Sequence, residues 1–278
     1  MPEGPEVRRS ADRLFKSLAT KKLRKVEVHG GRYAQKPPEG TDELNRVLKE
    51  ADGMRIDQID CKGKFMFWTF FPGWVMWCTY GMSGQWFQGE PDKHTAVSLW
   101  IEHGGKLERW CFRDPRHFGT LKFVHDPDDS VTKKKLATLG PDMLHNPPDE
   151  RTFRVELLRK NQKTLAEALM DQSVVSGVGN YVKAEALYLA ELSPHRVIRD
   201  LSTQEIERLR VQIINVMKAS YNTGGATIST YRNVDGTKGG AQRRFAVYGN
   251  QTDPMGNPVV REETKDGRTT HWVPSVQK

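Results

Sequence analysis

Residues 171–194 read DQSVVSGVGNYVKAEALYLAELSP, with apolar helical patterns on both sides of the turn Gly177-Val178-Gly179-Asn180. Helical periodicity flanking a Gly-x-Gly-Asn turn predicts two helices joined by a tight hinge. Gly177 and Gly179 let the backbone approach a partner closely, and Asn180 is expected to cap the second helix. Exposed amides at the start of that helix would form an anion site suited to a phosphate. A helix–turn–helix hinge with no such partner fits the same pattern, so the rest of the chain has to decide.

Working outward, the 278 residues suit one large domain or two ordinary ones, and two is the better fit. Hydrophobic content of 37% and seven tryptophans supply real cores and argue against disorder. Net charge of +8 points to an anionic partner, nucleic acid ahead of a membrane surface. No run reaches about 18 apolar residues, so the chain reads as soluble and intracellular, with no membrane partner. Cys61, Cys78 and Cys111 are widely spaced and form no CxxC pair, which predicts reduced thiols packed in strands.

Before the hinge, residues 5–19 carry an amphipathic helix with Arg and Lys on its outer face, Pro5 at its first turn and Glu6 beside its positive end. TDELNRVLKEAD predicts a second helix with Thr41 as its N-cap. From Lys64 to Val124, KFMFWTFF, WVMWCTYG, TAVSLWIE, KLERWCF and FGTLKFV are aromatic and β-branched runs broken by turns, the texture of a β-sandwich or barrel. The polar stretch DPDDSVTKKKLATLGPDMLHNPPDE marks a domain boundary, with its KKK in a solvated loop. Helical texture follows through residue 222. The tail returns to strand texture in FAVYGN, NPVVREE and RTTHWV.

Taken together with MPEGPEV, KGKF, GMSG, RDPRHFG and VYGN…GRTTHWVPSVQ, the hinge resembles the signature of the Fpg/Nei family of DNA glycosylases, in family order across residues 1–277. PEGPE with GNYVKAEAL resembles its endonuclease VIII-like branch; the formamidopyrimidine branch usually begins PELPE. The resemblance implies an α+β multidomain fold: an N-terminal β-sandwich with an N-terminal helix at 1–135, then a helical domain at 150–278. That second domain would hold a helix–two-turn–helix at 163–192 and end in a β-hairpin at 244–277. The family hairpin carries two cysteine pairs. Here Met255, Val273 and Val276 stand at or near those positions and no cysteine follows Cys111, so a tetrathiolate site cannot form. The hairpin looks like a zincless finger, held by packing of Phe245, Val247, Tyr248, Val259, Val260 and Trp272.

The resemblance also assigns roles. Removal of Met1 would expose Pro2 as a secondary amine with a pKa near ~8, against ~10.4 for lysine, so more of it is free base at neutral pH. Such an amine can attack C1′ of a deoxyribose, displace the damaged base and leave a Schiff base. Glu3 is the expected proton shuttle for sugar opening and for the ensuing β- and δ-elimination, and Glu6 a supporting residue. Lys64 matches the family's catalytic lysine, which contacts the phosphate beside the lesion, and Asn180 and Arg268 match further phosphate contacts. Met82, Arg116 and Phe118 match the residues that fill the gap left by an extruded nucleotide. The basic loop TYRNVDGTKGGAQRRF is expected to close over the extruded base. The implied activity is a base-excision-repair glycosylase and AP lyase for oxidised bases, mainly pyrimidines and hydantoins, with neither metal nor cofactor. Its partner would be damaged DNA, duplex or single-stranded, and the protein a monomer. A formamidopyrimidine-type enzyme favouring 8-oxoguanine is the alternative, and a non-catalytic nucleic-acid binder is a third reading.

Overall fold

A computed structural model describes residues 2–227 and 232–278. The chain gathers into two compact units. One comprises Met1–Pro2, Glu6–Leu136 and Ala226–Gly239; the other comprises Glu3–Pro5, Ala137–Gly225 and Gly240–Lys278. In chain order the elements are α1 (Gly4–Leu18), β1 (Lys22–Val28), α2 (Thr41–Glu50), β2 (Met54–Lys62), β3 (Phe65–Phe71), β4 (Trp74–Thr79), β5 (Gln85–Gln88), β6 (Thr95–His103), β7 (Lys106–Arg113), β8 (Thr120–His125) and α3 (Ser130–Ala137). Then follow α4 (Glu150–Leu158), α5 (Leu165–Met170), α6 (Asn180–Leu189), α7 (Thr203–Asn222), β9 (Val260–Glu263) and β10 (Thr269–Trp272).

The first unit is an antiparallel sheet in the order β5-β7-β6-β1-β2-β3-β4-β8. Its two halves join through two residue pairs between β1 and β2, with bulges on either side in the β1–β6 and β2–β3 ladders. Trp68 on β3 and Trp86 on β5 show that the sheet folds back on itself. Five strand spacings separate them, about 24 Å in a flat sheet, yet their rings lie 5.0 Å apart. Tyr80 and Phe112 meet likewise at 6.2 Å. The result is a sandwich whose two layers come from one hydrogen-bonded sheet, with Trp68, Trp86 and Phe112 in the shared core. Val7, Ala11, Leu14 and Leu18 on α1 join that core at helical spacing. Arg8 departs from the expected outer face: it is buried and ion-paired to Asp60 at 2.6 Å and to Asp12 at 2.9 Å. The three cysteines are buried thiols outside any disulfide; burial pushes the Cys78 thiol up to about 12.

Other expectations change in physically simple ways. Thr41 is the first helical residue of α2, not its cap. Gly40 takes that place at φ 82, and the Thr41 hydroxyl donates to the Pro38 carbonyl at 2.7 Å. The stretch expected as a loop contains α3, because the Asp126 carboxylate accepts the amides of Val131 and Thr132 and so starts a helix that takes in all three lysines.

In the second unit, α5 and α7 open with capping boxes, Thr164 with Glu167 and Ser202 with Glu205. FAVYGN is a turn rather than a strand, while β9 and β10 form the C-terminal hairpin. No helix among the described residues is long and apolar enough to cross a membrane.

Candidate active site and nucleic-acid contacts

Pro2 is buried immediately ahead of Glu3; Met1 lies outside the described residues. Glu3 is only 2% exposed. Its carboxylate accepts the amides of Tyr181 at 3.0 Å and Val182 at 3.2 Å. Those N–H groups begin α6, so a side chain 178 residues upstream occupies the helix end that the sequence offered to a phosphate. The cap position belongs to Gly179, not Asn180. A Cβ on Gly179 would lie 2.5 Å from a Glu3 oxygen, which explains the glycine directly. Gly177, at φ 94, accepts the Gly4 amide at 2.8 Å. The close approach that the hinge permits is therefore to the chain's own residues 3 and 4. Asn180 turns its side-chain amide to the Thr269 carbonyl, 2.9 Å away on β10.

Glu6 is fully buried, and its carboxylate accepts the Ala226 amide at 2.7 Å. It thereby holds the chain at Ala226, ahead of the basic loop. Thr230 and Tyr231 of that loop lie outside the described residues. The remainder is clasped rather than a plain linker: Asp235 pairs with Arg13 of α1, and the Arg232 amide donates to Gln85 of β5 at 3.0 Å.

Lys64 lies in the β2–β3 turn rather than on a strand. Lys62 pairs with Phe65, which leaves Gly63 (φ 58) and Lys64 as a two-residue loop. The Lys62 amine caps the Leu136 carbonyl of α3 at 3.0 Å, and Lys135 leans over the Phe65 ring at 5.5 Å.

GMSG and RDPRHFG are drawn together by a pair of residues absent from the expected site, Ser83 and Asp114. Both are buried. Ser83 donates to Asp114 at 2.7 Å and accepts the Arg116 amide at 3.1 Å, while Asp114 also accepts the Gly119 amide at 2.6 Å. A Cβ on Gly81 would strike the Phe118 backbone at 2.5 Å, so the two loops touch at glycine distance. This holds Phe118 out at 56% exposure, with the Arg116 guanidinium 5.5 Å from its ring; half-buried Met82 precedes Ser83 on the facing loop. An exposed ring, a guanidinium and a thioether on one rigid pair of loops can wedge into a base stack.

Arg268 is exposed in the β9–β10 turn, which Gly267 bends at φ 69. The turn is anchored by Asp266, whose carboxylate accepts from Lys183 of α6 at 2.6 Å and from Thr264. Lys183 has no exposed surface; burial lowers its pKa while Asp266 and then Glu3 pull it back up. Glu185, two residues further along α6, receives the amides of Ala246, Val247 and Tyr248 at 2.7–2.9 Å. Burial raises its pKa against those three hydrogen bonds.

The finger has no thiol, and among the described residues no group of three or more His, Cys, Asp or Glu side chains is placed to hold a metal ion. The tetrathiolate donor set of the family hairpin does not fit these residues. Val273 is fully buried, and Val247, Tyr248, Val259 and Val276 pack around it, while Phe245 stacks on Tyr181 at 4.9 Å. Val260 does not take part; it is 36% exposed because the β9 pleat turns it outward. Met255 is 82% exposed. Asp253 organises that turn through the amides of Met255 and Asn257. Prolonged chelation should leave the melting temperature of the protein unchanged, and a drop of several degrees would contradict this packing account.

A model of the formamidopyrimidine-DNA glycosylase N-terminal domain matches residues 1–121. The corresponding H2TH and C-terminal domain models match residues 139–232 and 241–278. The formamidopyrimidine-DNA glycosylase of Thermus thermophilus is 36% identical over 284 residues, covering 100% of this chain and 98% of the relative. The crystal structure of the MutM (Fpg) protein from Thermus thermophilus is similar with a TM-score of 0.85 and 33% identity, covering 99% and 98% of the two chains. A Lactococcus lactis Fpg variant, solved in complex with DNA containing Fapy-dG, aligns over 100% of both chains with a TM-score of 0.86 and 25% identity.

Proposed function

The chain belongs to the formamidopyrimidine-DNA glycosylase family, base-excision-repair enzymes with glycosylase and AP-lyase activity, and on that premise we propose that it works through the amine of Pro2. Attack of that nitrogen on C1′ expels the damaged base; loss of the N–H proton and opening of the C1′–O4′ bond, with a proton delivered to O4′, leave an iminium, and the C2′ proton is then acidic enough for a carboxylate to remove. Loss of the 3′ and then the 5′ phosphate cleaves the strand. The observation that carries the reading is Glu3, covalently next to Pro2 and locked by two amides of α6. Glu6 supports the site by holding Ala226.

The DNA contacts follow the same reading. Lys64, Asn180 and Arg268 engage phosphates, while Met82, Arg116 and Phe118 fill the stack behind a flipped nucleotide. The partner is damaged duplex DNA, met by a soluble intracellular monomer.

For the lesion, the names of the curated relatives and the Fapy-dG in the Lactococcus complex support ring-opened and oxidised purines as the first class. That order reverses the one drawn from the sequence. The PEGPE opening and the thiol-free finger favour a second reading, the endonuclease VIII-like branch acting on oxidised pyrimidines and hydantoins. Single-turnover release from duplexes carrying 8-oxoguanine, a formamidopyrimidine or thymine glycol separates the two. Faster release of thymine glycol would establish the second reading, and no release from any of the three would defeat both.

Gly179→Ala tests the geometry without touching the nucleophile. The added methyl must displace the Glu3 carboxylate, and a misplacement of about 1 Å costs roughly 10²-fold in rate. Strand cleavage at an abasic site should fall by that factor while the protein still unfolds cooperatively.

A further inference from the structure

One turn of α6 makes three separate ties. The amides of Tyr181 and Val182 hold the Glu3 carboxylate, the Asn180 side chain holds the Thr269 carbonyl, and the Lys183 amine holds Asp266. The last two lie on either side of Arg268. Within the turn, the Arg268 carbonyl accepts from both the Thr264 amide, at 3.0 Å, and the Thr264 hydroxyl, at 3.1 Å, and the same hydroxyl is shared with the Asp266 carboxylate. The backbone of Arg268 is thus fixed on both sides, while its side chain stays exposed.

Lys183 and Asp266 are unusual partners for such a task, since their side chains are 0% and 4% exposed. Ion pairs buried this deeply give up nearly as much solvation as they gain in attraction, and hydrophobic replacements of similar volume are often as stable. Stability alone is therefore a poor reason for this pair to stand at the base of an exposed phosphate-binding turn. Its direction supplies a better one: a short charge-assisted bond fixes the turn at a single point, as an apolar contact does not. The hairpin has no thiolates to impose that constraint.

We propose that Lys183 is a positioning residue for DNA recognition. Its buried pair with Asp266 sets the β9–β10 turn on α6, so that Arg268 is aimed from the same helical turn that fixes Glu3. The ion pair supplies in this finger the orientation that a metal centre supplies in thiol-bearing ones. The inference rests on the reading of Arg268 as a phosphate contact, and the experiment below tests the two separately.

The test is a double-mutant cycle between the pair and the arginine. Wild type, Arg268→Ala, the apolar pair Lys183→Met/Asp266→Leu, and the triple variant are compared for affinity to an abasic-analogue duplex across a salt series. Thermal unfolding checks that each is folded. In the wild-type background, Arg268→Ala should weaken binding about tenfold and flatten the salt slope by about 0.9, one phosphate contact. The apolar pair should show the same loss by itself, with its melting transition intact, and Arg268→Ala should then cost nothing further. Wild-type affinity and salt slope in the apolar pair, with the full arginine effect retained, would overturn the positioning role and leave the phosphate contact standing. No effect of Arg268→Ala in wild type would remove both. Should the apolar pair fail to fold, Asp266→Asn keeps the shape of the turn while removing the charge, and the same cycle is read with it.

Discussion

Placing two residues ahead of Pro2, so that its nitrogen becomes a tertiary amide, is expected to abolish borohydride trapping on abasic DNA and to slow strand cleavage by at least about 10³-fold, the scale on which loss of a covalent nucleophile acts. An acylated proline nitrogen has neither a proton to lose nor a lone pair free for attack. Pro2→Gly, which leaves a primary amine, is expected to lose trapping as well. Affinity for an abasic-analogue duplex should change little in either case, because Lys64, Arg116 and Arg268 are untouched. Quenched-flow cleavage and a filter-binding titration read the two effects separately. Cleavage at the wild-type rate from the extended chain would place the nucleophile elsewhere.

Glu3→Gln should produce a different failure. Gln fits the same space, but it cannot take up the C2′ proton, and one of the two α6 amides would face its NH2 group. Elimination is expected to slow by about 10²–10⁴-fold, the usual contribution of general acid–base catalysis. At an abasic site, whose sugar opens to its aldehyde unaided, the Schiff base itself should still form, so trapping should persist while strand cleavage is lost. Leaving a buried amide without its acceptor also costs about 1–3 kcal/mol, seen as a lower melting temperature. Equal loss of trapping and cleavage would mean that Glu3 acts before the imine rather than after it. The contrast with the extended chain separates nucleophile from base.

Much of the fold is legible because it is local. The aromatic runs of β3 and β4 alternate toward a core, the Gly-x-Gly-Asn turn announces the hinge, and TLAE and STQE carry capping boxes. KLRKVEV and MRIDQIDCK also alternate, yet their charge hides them from a search for aromatic texture; they are β1 and β2. What the sequence conceals is long-range pairing. Glu3 reads as a proton shuttle and the α6 amides as an anion site, and nothing local shows that they satisfy each other. Ser83 and Asp114 lie 31 positions apart, so the clamp that gathers Met82, Arg116 and Phe118 appears only once β5 and β7 are paired. Lys183 reads as one more helix-surface lysine in VKAEAL. Only the return of the hairpin 83 residues later buries it against Asp266.

The most direct measurement is the chemical identity of the trapped adduct. The unmodified protein is reduced with borohydride on an abasic oligonucleotide, digested with trypsin and nuclease, and the cross-linked peptide sequenced by mass spectrometry. The account predicts a peptide that begins at Pro2, lacks Met1 and carries the reduced sugar on the proline nitrogen. A sugar attached to a lysine amine such as that of Lys64, or an active enzyme that keeps Met1, would contradict it.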